Sequence, residues 1–332
     1  MAQSVDFTTL GTWQADSVTV AQVEAALSDL RRHEERAAVR TSVLTLVVVA
    51  KDQAEADQTL DVVRHLGARH PSRTLVLVPE DDDDESRPRL DASAAVRLLE
   101  RDSRAVCVEE VVLEVRGRAR HHLNSLVEPF ALPDLPVAVW LPSRLPGPGD
   151  PLLEAADRVI VDTRVVGSQA DALSKLASLS RRCAVTDLSW SRLKPWRQLL
   201  ASLFEGRVYR PFLDGVQHIE VEGRPGPRQL LAGWLMSRLG LPRAKVHLAD
   251  SEHASIKLAC SHEGRTGRFE VERKGDERVI DAVVHIEGGP SYEQKVQFGE
   301  DWPSRSLADA LTRMGHDEVY EEALQAAVGL LR

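Results

Sequence analysis

The sequence predicts an α/β amino-terminal domain, a mostly parallel sheet with flanking helices, followed by an α+β carboxy-terminal domain in which helices cover an antiparallel meander. Three observations carry this reading. Between residues 18 and 179, amphipathic stretches alternate with short, nearly continuous apolar runs, the pattern of parallel strands buried on both faces. From Lys245 onward, short segments of period-two alternation follow one another between glycine turns, as in a hairpin-connected sheet. Near residues 181–190 one pattern gives way to the other, which divides the chain into expected domains 1–182 and 183–332.

Taken in order, Val18–Arg36 is amphipathic, with Val20, Val23, Ala26, Leu27 and Leu30 on one side. Ser42–Ala50 (SVLTLVVVA) reads as a strand buried on both faces. A polar helix from Gln53 to His70, closed by Pro71, leads to a second such strand at Arg73–Pro79. This order implies a parallel pair joined by a right-handed crossover. Glu80–Glu85 is six consecutive acids. Their mutual repulsion makes a solvated loop, and they lack the spacing of a calcium loop. Strands are expected at Leu90–Leu99, Ala105–Val115, Val137–Leu141 and Val159–Asp162, with helices at Arg118–Glu128 and Gln169–Leu179. The prolines of Pro142–Pro151 make a turn-rich loop.

In the second half, Pro195 suits a first helical turn, where its missing N–H costs nothing. Trp196, Leu199, Leu200, Leu203 and Phe204 then form one apolar stripe. A strand is expected around Val216–Val221. Arg228–Leu239 is a helix with Pro227 at its entry and Gly240 just past its end. Gly233 in mid-helix costs about 1 kcal/mol relative to alanine, so another backbone is expected to pass close by. Strands follow at Val246–Ala249, Ser255–Ser261, Arg268–Arg273, Val279–Ile286 and Tyr292–Phe298. Two helices, Leu307–Met314 and Asp317–Leu331, are expected to cover the sheet.

Composition narrows the function. Of 332 residues, 43% are hydrophobic and 28% charged, with a net charge of −9. These are the proportions of a soluble globular protein, and the negative balance argues against nucleic acid or an anionic membrane as partner. No apolar run approaches the roughly 20 residues of a membrane span. The first residues lack the basic start and apolar stretch of a signal peptide, so the expected location is the cytoplasm. Cys107, Cys183 and Cys260 are too few and too scattered for a disulfide framework. Cys107 and Cys260 sit in strand-like alternation and read as buried thiols.

Chemical motifs are missing. There is no G-x-G-x-x-G, no G-x-x-x-x-G-K-[ST], no G-x-S-x-G and no H-E-x-x-H, so no catalytic, cofactor-binding or metal-binding residues are assigned. His121 and His122 are neighbours on a helix, about 100° apart, and do not face one metal together; they read as surface residues. Asp134 and Asp187 read as turn or helix caps.

What stands out is Val185–Phe204, VTDLSWSRLKPWRQLLASLF. Arg192, Lys194 and Arg197 surround the positive end of a helix, where anions are favoured, and so would suit an outside anion. Tryptophan and arginine are the residues enriched at interface hot spots. Trp190, ahead of the apolar stripe and flanked by serines, is the expected exposed anchor; Trp196 and Trp234 lie on apolar stripes and read first as core.

The same stretch carries a resemblance. DLSWSRLKPWRQLLASLF, with LLAGWLMSRLG at Leu230–Gly240, LPDLPVAVWLP at Leu132–Pro142 and ADRVIVDTR at Ala156–Arg164, resembles the glucose-6-phosphate dehydrogenase assembly protein family (OpcA). DEVYEEAL at Asp317–Leu324 also fits. The resemblance implies a non-catalytic partner, without cofactor, that binds glucose-6-phosphate dehydrogenase and promotes its active oligomer. The candidate partner-binding residues are Trp190, Arg192, Lys194, Trp196 and Arg197, with Trp234 and Arg238 beside them. Two rivals stay open: a sensor binding a sugar phosphate or nucleotide at the carboxyl ends of the strands, and an enzyme acting on a sugar phosphate.

Overall fold

The computed structural model describes residues 7–32, 42–66, 70–81, 87–101, 104–273, 279–289, 291–297, 303–312 and 314–331. The ends of several expected elements (Arg36, residues 82–85 of the acidic run, Phe298) lie outside the described residues.

The chain opens with β1 (Phe7–Ala15) and α1 (Val20–Arg32), then β2 (Leu44–Val49), α2 (Gln53–Leu66) and β3 (Ser72–Pro79). A long hairpin follows, β4 (Arg89–Arg101) and β5 (Arg104–Arg116), then α3 (Leu123–Val127) between two 3₁₀ turns. Next come β6 (Val137–Leu141), β7 (Arg158–Val161), α4 (Gln169–Leu179) and β8 (Ala184–Asp187). The strands form one eight-stranded sheet in the order β1-β4-β5-β3-β2-β6-β7-β8. From β5 to β7 every neighbouring pair is parallel, while β4 pairs antiparallel with both β5 and β1. The parallel centre follows from the apolar runs. Leu46, Val47 and Val48 in β2 and Leu75, Val76 and Leu77 in β3 are all fully buried, each contributing about 1.5–3 kcal/mol.

The second half contains α5 (Leu188–Arg192), α6 (Lys194–Ser202), β9 (Val216–Gly223), α7 (Pro227–Leu239) and β10 (Val246–Asp250). Then come β11 (Ser255–His262), β12 (Arg265–Glu272), β13 (Val279–Ile286), β14 (Tyr292–Gln297), α8 (Pro303–Leu311) and α9 (Glu318–Gly329). The second sheet runs β10-β9-β11-β12-β13-β14. The meander from β11 to β14 is antiparallel, as is β9 with β11. β10 instead joins β9 in parallel across α7, which makes the sheet mixed. Apolar side chains alternate inward, including Ile219, Leu258, Phe269 and Val284, each fully buried.

Two compact units result. One comprises residues up to Val165 with 183–186 and 303–315; the other comprises 166–182, 187–302 and 316–332. The expectation that both terminal helices cover the second sheet is corrected here. α8 belongs to the first unit and packs against α2. In the second unit the sheet is contacted by α6 and α7, and α9 packs on α7 and α4. The physical reason is Gly233. A Cβ there would lie 2.2 Å from the Ala323 carbonyl oxygen and 2.7 Å from the Ala327 nitrogen, so the missing side chain lets α9 cross directly over α7. α7 itself ends where expected, with Gly240 in the left-handed region at φ 61°.

Candidate functional site

The candidate residues are positioned by three short helices of the second unit. Asp187 starts α5, its Oδ1 accepting the Ser189 N–H at 2.8 Å. That cap begins a one-turn helix ahead of α6, where the sequence pattern predicts a single helix from Pro195. α5 packs against both α6 and α7, so sequence-distant blocks converge. Pro195 falls in the first turn of α6, and the stripe Trp196, Leu199 and Leu200 faces inward with Leu203 and Phe204. Phe204 stacks on Phe269 with centroids 4.2 Å apart.

Trp190 is not the exposed anchor expected of it. It is 3% exposed, covered by the Arg197 guanidinium 3.3 Å from its ring centre and flanked by Tyr320 at 5.6 Å. The cause is the Asp187 cap: it turns a stretch that reads as pre-helical loop into a helix turn, and that turn points Trp190 inward. Arg197 Nη2 also donates to the Trp190 carbonyl at 3.4 Å. Burial pulls the Arg197 pKa down to about 10, with Asp317 acting in the opposite sense; it remains a cation at neutral pH. Trp196 is 5% exposed, with the Arg273 guanidinium 5.7 Å from its ring centre.

The other candidates lie nearer solvent. Arg192 is half-buried, its Nη2 donating to Ser189 Oγ at 3.1 Å, and Lys194 is exposed. On α7, Trp234 is half-buried, and the exposed Arg238 pairs with Glu322 of α9. The structure thus separates the set into an inner group, the buried Trp190 and Trp196 with the half-buried Arg197 laid on the Trp190 ring, and an outer group, Arg192, Lys194, Trp234 and Arg238.

Sequence reasoning missed Tyr320, which completes the core. Asp317 caps α9 by accepting the Tyr320 N–H at 3.1 Å, and this sets the ring against Trp190. The phenol is fully buried and its hydroxyl has no hydrogen-bond partner. Burial raises its pKa well above the ordinary value, and the charges of Asp187, Asp317 and Glu321 add to that. The only signal was the acid three residues ahead of the tyrosine in DEVY, a cap pattern.

Elsewhere, Cys107 and Cys260 are buried, as expected. Burial raises their thiols to about 11 and about 12 respectively. Asp134 lies in the turn before β6 with φ 61°. Among the described residues no three His, Cys, Asp or Glu side chains are grouped to hold a metal. At the carboxyl end of β2, where nucleotide folds bind phosphate above a helix amino end, the chain's own Asp52 Oδ1 accepts the Glu55 N–H in the first turn of α2 at 2.8 Å. Glu55 Oε2 accepts the Lys51 N–H at 2.8 Å and the Ser143 hydroxyl at 2.9 Å. No helix among the described residues is long and apolar enough to cross a membrane.

Fold and site together define the class: a two-domain protein, α/β then α+β, whose most conspicuous cluster is aromatic and cationic. Two family models match it in order. Residues 63–178 match the N-terminal domain of the glucose-6-phosphate dehydrogenase subunit, and residues 183–324 match the C-terminal domain of the same subunit. Between them they account for most of the chain, which belongs to the OpcA family. Among curated proteins it is similar to one from Synechocystis sp., 29% identical over 182 residues, covering 52% of this chain and 38% of that protein. A second, from Nostoc punctiforme, is 24% identical over 187 residues, 54% of this chain and 40% of the relative. Both carry the provisional name OxPP cycle protein OpcA. The match spans about two fifths of the length of these relatives.

Proposed function

We propose that this chain is a cytoplasmic, non-catalytic assembly and activation factor that binds glucose-6-phosphate dehydrogenase and favours its active oligomer. The observation that carries the reading is the ordered match of both parts of the chain to domains described as belonging to a subunit of that dehydrogenase. In this reading the factor binds the assembled, competent dehydrogenase more tightly than the unassembled form, and shifts the population by that difference in affinity. The outer group, Arg192, Lys194, Trp234 and Arg238, meets the partner. The buried Trp190 and Trp196, with the half-buried Arg197, hold the helices that present it.

The test is light scattering and steady-state activity of the dehydrogenase from the same organism, with and without this protein. A complex with a larger dehydrogenase oligomer and higher activity supports the proposal. No complex and no change in oligomer or activity removes it.

A further inference from the structure

We propose that the outer edge of β14 pairs with the same strand of a second copy of this chain, antiparallel and centred on Gln294, to make a homodimer. β14 ends the second sheet, with β13 as its neighbour there. An edge strand carries a row of unpaired N–H and C=O groups, and natural edges are blunted by bulges, brevity, cover or charge. The other sheet ends show the first three. β1 slips register between Thr9 and Gly11, β8 has four residues, all buried, and β10 has α7 packed against it. The register of β14 with β13 instead runs unbroken from Tyr292 to Gln297, and the strand contains no proline. Its charges, which on most edges repel a newcomer, come as one acid and one base.

The order of side chains, YEQKVQ, is complementary to itself. A twofold axis perpendicular to the sheet keeps each face continuous, so residues of the same parity face one another across it. With the axis at Gln294, Tyr292 meets Val296 of the second copy, Glu293 meets Lys295 and Gln294 meets its own counterpart. Aromatic against β-branched and acid against base are stabilising cross-strand pairs, and facing amides can each donate and accept. The neighbouring registers fail. An axis at Glu293 sets two glutamates directly opposite each other, and an axis at Lys295 sets two lysines so, which destabilises the pairing. Charge complementarity therefore selects both the occupant and the register.

The side chains concerned are open to a facing strand. Glu293 and Lys295 lie 3.7 Å apart along their own strand and are 61% and 65% exposed. Tyr292 is an exposed large hydrophobic residue, at 41%. Tyr292, Gln294 and Val296 stand opposite Val284, Ala282 and Ile280 of β13, all three fully buried. Pairing thus extends the apolar face of the sheet past its edge and covers the Tyr292 ring. One six-residue strand from each copy is a small interface, of the size that gives a reversible rather than a permanent dimer. It needs no dehydrogenase, so its success or failure is separate from that of the assembly role.

The experiment is sedimentation velocity of the full chain, from below micromolar to hundreds of micromolar, on wild type, Glu293→Lys and Lys295→Glu. A concentration-dependent equilibrium between monomer and dimer is expected for wild type. Each single variant sets like charges across the axis and weakens dimerisation at least about tenfold. Mixing the two variants restores it, because every facing pair in the mixed dimer is then acid against base. The contact along each strand is the same in the mixture as in the separate variants, so recovery on mixing reads the facing strand alone. Both positions are exposed, so both variants should melt close to wild type. A wild-type chain that stays monomeric throughout, a dimer that neither variant weakens, or a loss that mixing does not restore overturns the proposal.

Discussion

The Arg197 guanidinium lies 3.3 Å from the centre of the Trp190 ring, a cation laid on a buried indole inside the second unit. A partly desolvated cation–π pair of this kind is worth about 0.5–2 kcal/mol. Trp190→Ala removes that pair, the Tyr320 contact and a buried indole at once. Its unfolding free energy in urea should fall by about 3–5 kcal/mol, and Trp190→Phe should recover part of the loss. Unchanged stability in Trp190→Ala would show that the ring is not packed as described.

Gly233→Ala tests the crossing of α7 and α9. On an isolated helix this change gains about 1 kcal/mol. Here the new methyl would sit 2.2 Å from the Ala323 oxygen, and overpacking of this kind costs about 1–3 kcal/mol. The sign of the melting shift decides. A lower melting temperature is expected, and a higher one would mean the two helices separate readily.

The outer group should behave in the opposite way. Lys194 is exposed, and the Arg238–Glu322 pair has side chains 41% and 52% exposed. Such a pair contributes only about 0.2–1 kcal/mol. Lys194→Glu combined with Arg238→Glu is expected to leave melting nearly unchanged while weakening capture of the dehydrogenase at least tenfold. Surface plasmon resonance against melting temperature separates the two effects.

Acid should find a weak point at Asp91. Burial alone would raise its pKa, but the Ser17 N–H at 2.8 Å and the guanidinium groups of Arg89 and Arg116 outweigh it, so the carboxyl sits below its ordinary value. A depressed folded-state pKa contributes stability that is present above the unfolded value of about 3.9 and is lost as pH falls through the folded one. Asp91→Asn is therefore less stable than wild type at pH 7, and the gap closes below about pH 4. Urea midpoints from pH 7 to pH 3 measure it; a gap independent of pH would refute the assignment.

Thiol chemistry should be selective. With Cys107 at about 11 and Cys260 at about 12, neither holds an appreciable thiolate near neutrality, and both are buried. Cys183 is partly exposed. An aromatic disulfide reagent at pH 7.5 should label Cys183 first, and the other two only on addition of denaturant. Fast labelling of Cys107 or Cys260 in the native protein would contradict the packing around them.

The parallel centre of the first sheet was legible because β2, β3 and β6 carry nearly continuous apolar runs, the pattern of strands covered on both faces. The close approach at Gly233 was legible for a similar reason, since a helix tolerates a mid-helix glycine at a cost. β1 was not. Its residues FTTLGTWQA are all exposed or part-exposed and its register with β4 slips between Thr9 and Gly11, so no alternation marks it as a strand. β8 is four residues long and too short to show a period. The inward turn of Trp190 was hidden because it depends on a one-turn helix and on Tyr320, 130 positions away. The cation count around Pro195 was correct in number. It did not reveal that Arg197 is spent on the indole, leaving Arg192 and Lys194 at the surface.

The position of β2 has a consequence for biogenesis. It pairs with β3, made shortly after it, and with β6, which begins at Val137 about ninety residues later. At ribosomal speeds of roughly 5–20 residues per second, that edge of β2 stays bare for several seconds. Leu44–Val49 is a flat, uncharged template for stray pairing during that interval. A nascent chain stalled before Val137 is thus the form most in need of a chaperone.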